Sequence, residues 1–209
     1  MSRVVVSGAF DDLRSPQVRF LQEASRLGEL HVLLWPDAMF RAVTGRAPRF
    51  SLEEREYLIR AIRYVNSVHV LRQGFPPDTL PLLEEMRPAL WAVSEAADYE
   101  ARRTYCIDHG LSCRLIGPEQ LQGFPEEKAA ASGLPGPAAA KKVLVTGCFD
   151  WFHSGHVRFF EEVSALGALY VVVGHDSNIR LLKGEGHPLF PEQERRYMVQ
   201  AVRYVTQAL

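Results

Sequence analysis

Short apolar runs alternate with amphipathic stretches along the first 122 residues. The apolar runs predict five strands, at Val4–Val6, His31–Leu34, Val68–Leu71, Leu90–Val93 and Cys113–Ile116. The stretches between them predict four helices, over Gln17–Leu27, Leu52–Val65, Thr79–Met86 and Asp98–His109. Regular alternation of strand and helix predicts an α/β fold with a parallel sheet and right-handed crossovers.

The pattern starts again after a change of composition. Residues 123–140 consist largely of Gly, Pro, Ala, Ser and Lys, which predicts an interdomain linker. Beyond it, apolar runs predict strands at Val143–Val145 and Leu169–Val173, and amphipathic stretches predict helices at Gly155–Leu166 and Glu192–Tyr204. We therefore expect domains at residues 1–122 and 141–209, joined by that linker.

The second segment repeats the first. Residues 4–11 align with residues 143–150, and the match continues without a gap to Asp37 beneath Asp176. After a slip of one residue it extends to Arg63-Tyr64-Val65 beneath Arg203-Tyr204-Val205. This agreement indicates a tandem duplication. Copy two has two predicted strands where copy one has five, so we expect either a shortened form of a longer protein or a sheet that another chain completes.

Composition limits the partners and the cellular compartment that we expect for this chain. The chain has 24 basic and 25 acidic residues and a formal net charge of -1, so no overall positive field favours nucleic acid. The three cysteines, Cys106, Cys113 and Cys148, are odd in number and form no CxxC pair, which favours a reducing compartment. The sequence shows neither a signal peptide nor the roughly 18 apolar residues of a membrane span. We expect a cytoplasmic protein.

The residues with candidate chemical roles lie where strand Val143–Val145 leads into the next predicted helix. The turn Gly147-Cys148-Phe149-Asp150 leads to His153, Gly155 and His156 at the helix start. A strand, a glycine turn and a helix N-terminus together can hold phosphate, because backbone N–H groups and the helix dipole point at the anion.

The duplication serves as an internal control for this interpretation. Copy one keeps the glycine turn and the Phe-Asp pair, but it carries Arg14, Pro16 and Gln17 where copy two has His153, Gly155 and His156. Lys183, which we expect in a loop, is replaced by Val43 or Thr44. Copy one thus keeps the scaffold and lacks the donors, so the candidate catalytic residues are His153, His156 and Lys183.

The stretch from Gly147 to His156, with the Lys183-Gly184 loop and Glu194-Arg195, resembles the cytidylyltransferase family of the nucleotidyltransferase superfamily. It is most similar to glycerol-3-phosphate and ethanolamine-phosphate cytidylyltransferases. The resemblance implies a Rossmann-like nucleotidyltransferase fold in each copy. It also implies that a small phosphorylated alcohol attacks the α-phosphorus of CTP and releases pyrophosphate, without a covalent intermediate.

The resemblance also assigns roles to residues. The backbone at Cys148, Phe149, Ser154 and Gly155 would hold phosphates. Asp150 would belong to the same nucleotide-binding turn, although its retention as Asp11 in copy one also favours a role in bracing the turn. His153 and His156 would donate hydrogen bonds to phosphate oxygens, Lys183 would contact a phosphate, and Arg195 would assist. Mg²⁺ would accompany CTP and bridge its phosphates, and no metal-ligating set of side chains is predicted.

One family element is absent from this sequence. The family carries a second motif, resembling Arg-Thr-x-Gly-Ile-Ser-Thr-Thr, which binds triphosphate and base, and copy one has Gly117-Pro118-Glu119-Gln120 there. We therefore expect little or no transferase activity from this chain alone. An adenylyltransferase and a non-catalytic regulatory module remain alternatives. The Arg-Tyr-Val elements predict a pseudo-twofold pairing of the copies or a homo-oligomer.

Overall fold

The computed structural model describes residues 2–71, 73–81, 83–94, 99–125 and 141–209. Residues 126–140, most of the predicted linker, lie outside this range, as does Asp98, the predicted start of a helix. The chain divides into two compact units, which span residues 1–60 with 64–122 and residues 61–63 with 123–209. Within the described residues, no helix has the length and apolar character needed to cross a membrane.

The first unit is a parallel five-stranded sheet with helices between its strands. The strands are β1 (Arg3–Gly8), β2 (Glu29–Leu34), β3 (Ser67–Val70), β4 (Leu90–Ser94) and β5 (Ser112–Ile116). The helices are α1 (Ser15–Ser25), α2 (Asp37–Thr44), α3 (Leu52–Ala61), α4 (Leu83–Met86) and α5 (Tyr99–Asp108). The sheet order is β3-β2-β1-β4-β5, so the strand order reverses between β1 and β4. This is the Rossmann-like α/β arrangement predicted from the sequence.

The central strand of the first unit, β1, has an unbroken apolar sequence because it is buried. Val4, Val5 and Val6 are all fully buried, because β1 has a neighbour on each edge and packing on both faces. On one face Val5 joins Leu33 and Trp91 in an apolar core cluster of the unit.

The second unit repeats the first six elements of this order around a smaller sheet. Its strands are β6 (Lys142–Gly147), β7 (Ala168–Val173) and β8 (Gln207–Ala208), and its helices are α6 (Ser154–Ser164), α7 (Asp176–Lys183) and α8 (Glu192–Gln200). The strands are parallel in the order β6-β7-β8, which leaves β6 at an edge of this sheet. Leu144 on β6 is 66% exposed, whereas its counterpart Val5 is fully buried.

The structure corrects several predicted elements. The second unit has three strands, because the two-residue β8 pairs with β7, and the prediction of two strands was wrong. Helices α2 and α7 were not predicted. The helix predicted over residues 52–65 ends at Ala61, and that predicted over residues 79–86 is confined to α4. Short elements of this kind are defined by packing and pairing more than by a long periodic pattern.

Candidate active site

The turn after β6 has a backbone conformation that depends on glycine. Phe149 adopts φ 51°, in the left-handed region that bulky residues rarely enter, and its ring folds back over Gly147. A Cβ atom on Gly147 would lie 2.6 Å from the Phe149 ring. Phe10 in the first unit has φ 47°, so the same turn forms in both units.

Asp150 fastens this turn to a segment some forty residues further along the chain. Its Oδ1 accepts hydrogen bonds from the Leu189 and Phe190 N–H groups at 2.7 and 3.0 Å, and its Oδ2 lies 3.3 Å from His187 Nδ1. Burial alone would raise the pKa of Asp150. The hydrogen bonds and the Arg195 charge outweigh burial and hold that pKa below its ordinary value.

Arg195 lies beneath the turn with only 1% of its surface exposed. It donates hydrogen bonds to the carbonyl oxygens of Phe190, Cys148 and Gly174 and to Asp176 Oδ1, at 2.5–2.8 Å. These contacts tie the turn to β7, to α7 and to the segment before α8. Arg195 therefore braces the site from below and does not line the pocket.

His153 and His156 stand at the first turn of α6 with their rings stacked, 4.0 Å between centroids. His153 is the N-cap residue, and its Nδ1 accepts a hydrogen bond of 3.1 Å from the Gly155 N–H. A Cβ atom on Gly155 would lie 2.9 Å from the His153 ring, so glycine lets the imidazole fold over the helix start.

His156 is held between aromatic rings. Phe149 meets it edge-on at 5.3 Å and Phe152 stacks on it at 5.7 Å. Its Nδ1 is buried and has no hydrogen-bond partner among the described residues. Burial, followed by the nearby His153 and Lys183, lowers the pKa of His156 to about 4, so the ring is neutral at pH 7.

Lys183 is the last residue of helix α7, where we predicted a loop. Helix signals were present in the sequence: Asp176 in the first turn, Arg180 and Lys183 in the last, and Gly184 just beyond. Gly184 has φ 89°, and its N–H donates to the Arg180 carbonyl oxygen. The helix end thus fixes the direction in which Lys183 leaves the backbone.

These elements enclose a pocket of about 370 Å³. Of the predicted site residues, Cys148, Phe149, Asp150, His153, His156 and Lys183 line it, whereas Ser154, Gly155 and Arg195 do not. The assignment of all nine to ligand binding remains a prediction.

Four further lining residues were not among the predicted site residues: Gly147, Trp151, His187 and Leu189. His187 lies at the pocket because it contacts Asp150. Its position just before Pro188 and Phe190, which the first copy retains as Pro48 and Phe50, was the available signal.

The second unit is similar in sequence to known proteins. Residues 144–209 match the family model described as cytidylyltransferase-like. An FAD synthase of Ferroglobus placidus is 44% identical over 70 residues, which are 33% of this chain and 44% of that protein. The bifunctional protein HldE of Alkalilimnicola ehrlichii is 46% identical over 82 residues, which are 39% of this chain and 16% of that protein.

A third relative matches the narrower resemblance drawn from the sequence. The ethanolamine-phosphate cytidylyltransferase of Mus musculus is 36% identical over 83 residues, which are 39% of this chain and 20% of that protein. The chain spans less than half the length of each of these relatives. The names of these relatives differ, so the similarity supports a cytidylyltransferase-like nucleotidyltransferase and does not select one acceptor. The segment that carries His153, His156 and Lys183 lies within residues 144–209 and is therefore similar to the cytidylyltransferase-like family.

Proposed function

We propose that the second unit carries the site of a nucleotidyltransferase that transfers CMP from CTP to a small phosphorylated alcohol, of the phosphoethanolamine or glycerol 3-phosphate type. The observation that carries the proposal is the convergence of His153, His156 and Lys183 on one pocket at the carboxyl end of β6. The duplicated turn in the first unit lacks all three donors.

In the proposed reaction, a phosphate oxygen of the acceptor attacks the α-phosphorus of CTP, and pyrophosphate leaves with the electrons of the broken P–O bond. The protein contributes positioning and stabilisation of charge. Lys183 supplies a fixed positive charge at the pocket. His156, neutral without ligand, gains a proton more readily once a polyanion lies beside it, because a nearby negative charge raises an imidazole pKa.

His153 has a second part in the proposal. Its Nδ1 accepts a hydrogen bond from the Gly155 N–H, which is one of the backbone donors at the start of α6. Turning the imidazole toward a phosphate oxygen would release this N–H to the same anion. Ligand binding would then exchange an internal cap for two contacts to phosphate.

In this proposal Mg²⁺ binds together with the nucleotide. Asp150 is the carboxylate at the pocket. One of its oxygens accepts hydrogen bonds from two N–H groups and the other lies beside His187. In this proposal Asp150 therefore stabilises the loop and is not a magnesium ligand. Mg²⁺ generally binds through substrate phosphates and few carboxylates, and it would neutralise charge on the triphosphate.

An adenylyltransferase is the second candidate, because an FAD synthase, whose product contains an adenylyl group, is among the similar proteins. The two candidates differ in the nucleotide that stabilises the chain. A ligand that binds only the folded state at a hundred times its Kd stabilises it by about 2.7 kcal/mol. We expect CTP to raise the Tm, and His156→Gln to reduce the rise. Gln17→Ala, at the equivalent position of the first unit, is the matched control and should keep it.

Pyrophosphate release with CTP and either acceptor, measured on the same samples, tests turnover. Stabilisation by ATP and not by CTP would replace the proposal with the adenylyltransferase. No stabilisation by either nucleotide would favour a non-catalytic module.

A further inference from the structure

The first unit has a pocket of its own, of about 540 Å³. It opens at the carboxyl ends of β1, β4 and β5, beside the point where the strand order reverses between β1 and β4. Open parallel sheets hold their ligands at this place. The volume falls within the range of about 300–1,000 Å³ that small-molecule sites occupy.

Aromatic and aliphatic side chains form most of its wall. Phe10 continues the β1 turn, Phe20 comes from α1 and Phe40 from α2, while Ile116 ends β5. The Arg46 guanidinium lies 4.9 Å from the centre of the Phe40 ring, so flat groups already stack at the rim. Such surfaces favour a planar ring system, because aromatic rings pack well in offset or edge-to-face contact.

The features that would hold a triphosphate are missing at the start of α1. Pro16 has no N–H to offer, and the Gln17 side-chain oxygen accepts the Arg14 N–H at 2.9 Å. Gln17 lines the pocket where His156 lines the other one. A polyanion therefore meets fewer donors here than in the second unit.

Charges around the pocket are paired with one another. Arg46 lies 3.5 Å from Asp11, and Asp12 forms ion pairs with Arg14 and Arg49 at 2.7 and 2.9 Å. Both carboxylates belong to the lining and would repel phosphate. Two hydroxyls, those of Ser7 and Ser94, can orient a polar edge of a ligand, and the Ser7 oxygen already accepts the Trp35 indole N–H.

We propose that the pocket of the first unit binds an uncharged, planar heteroaromatic molecule without phosphate groups. Stacking on the phenylalanines would supply most of the affinity, and the two serine hydroxyls would orient the polar edge. The first unit would then be a binding module, with a ligand different from that of the second unit. The proposal does not depend on the reaction of the second unit.

Matched pairs of ligands test the class of ligand. Cytidine and adenosine serve as probes, with CTP and ATP as partners that differ from them only in the phosphates. Saturation-transfer NMR on the whole chain detects weak binding, and titration gives each Kd. Each nucleoside should bind to the His153→Ala/His156→Ala chain as it does to the unaltered chain.

Two variants of the first unit locate the binding. Ser94→Trp fills the pocket, and Phe20→Leu keeps an apolar wall but removes one aromatic face. Each should weaken nucleoside binding, by about tenfold for the loss of stacking surface. Phe20→Leu keeps the test decisive if Ser94→Trp does not fold. Absence of nucleoside binding in the millimolar range would overturn the proposal, as would loss of binding in the double histidine variant with both first-unit variants unaffected.

Discussion

Arg195 donates a hydrogen bond of 2.5 Å to Asp176, and in the first unit Arg55 donates one of equal length to Asp37. In both units the arginine is buried and also binds the carbonyl oxygen of the second turn residue, Cys148 or Ala9. The arginine therefore belongs to the scaffold that the two units share. The difference between the units lies in the groups presented above that scaffold.

Arg195→Ala should destabilise the second unit by about 3 kcal/mol, because it leaves three carbonyl oxygens and a carboxylate without their common donor. Urea unfolding measures the change. Arg180→Ala, on an exposed face of α7, is the control and should stay within about 0.5 kcal/mol. An Arg195→Ala chain as stable as the control would show that the buried network contributes little.

Gly147→Ala should destabilise the second unit by about 1–3 kcal/mol, since the new Cβ would lie 2.6 Å from the Phe149 ring. The displaced ring would also disturb His156, which it contacts. Gly8→Ala, whose Cβ would lie 3.2 Å from Phe10, should cost less. Gly74→Ala, with no atom within 4 Å, should be nearly neutral. Unfolding curves measure the loss of stability in each variant. Any other order of the three losses would contradict the steric explanation.

The free energy of unfolding should fall as the pH is lowered from 6.5 toward 4, in part through His156. The folded-state pKa of about 4 lies below the ordinary 6.5, so the unfolded chain takes up the proton first. The contribution is fully present above pH 6.5 and is lost by about pH 4. Each pKa unit corresponds to about 1.4 kcal/mol, and partial exposure of His156 reduces the total to roughly 1–3 kcal/mol. His156→Gln should flatten the curve by this amount, and an unchanged slope would refute the assignment.

Under the proposed function, CTP should bind more tightly as the pH falls from 7 toward 5. A polyanion beside His156 raises its pKa, so binding takes up a proton, and the affinity gains at most about tenfold per pH unit. Calorimetry in buffers with different ionisation enthalpies measures the uptake. The difference between the unaltered chain and His156→Gln isolates the imidazole from the titration of the nucleotide itself. Equal uptake in both chains would remove His156 from the phosphate site.

Leu144→Lys and Val5→Lys form a matched pair on corresponding strands. Leu144 is 66% exposed, so a lysine there should change stability by no more than about 0.5 kcal/mol. Val5 is fully buried between β2 and β4, so the same change should prevent stable folding of the first unit. Thermal unfolding of the two variants compares them directly. A large loss from Leu144→Lys would indicate that this face of β6 is covered in solution.

Local sequence was sufficient for the features that lie close together along the chain. Strand β6, the Gly147–Asp150 turn and the histidines at the start of α6 follow one another within fifteen residues. Their geometry depends on backbone preferences and on burial of a short apolar run, both of which a single stretch of sequence displays. For this reason the strand–turn–helix core of the site could be predicted.

The remaining parts of the site were decided by contacts between distant residues. Asp150 reaches Leu189 and Phe190, which brings His187 to the pocket, and Arg195 reaches back to the Cys148 carbonyl oxygen. Strand β8 exists through its pairing with β7, and Lys183 is aimed by the end of a helix of eight residues. Local sequence determined the glycine turn and its histidines, whereas tertiary structure determined what surrounds them, because those contacts form only when segments some forty residues apart pack together.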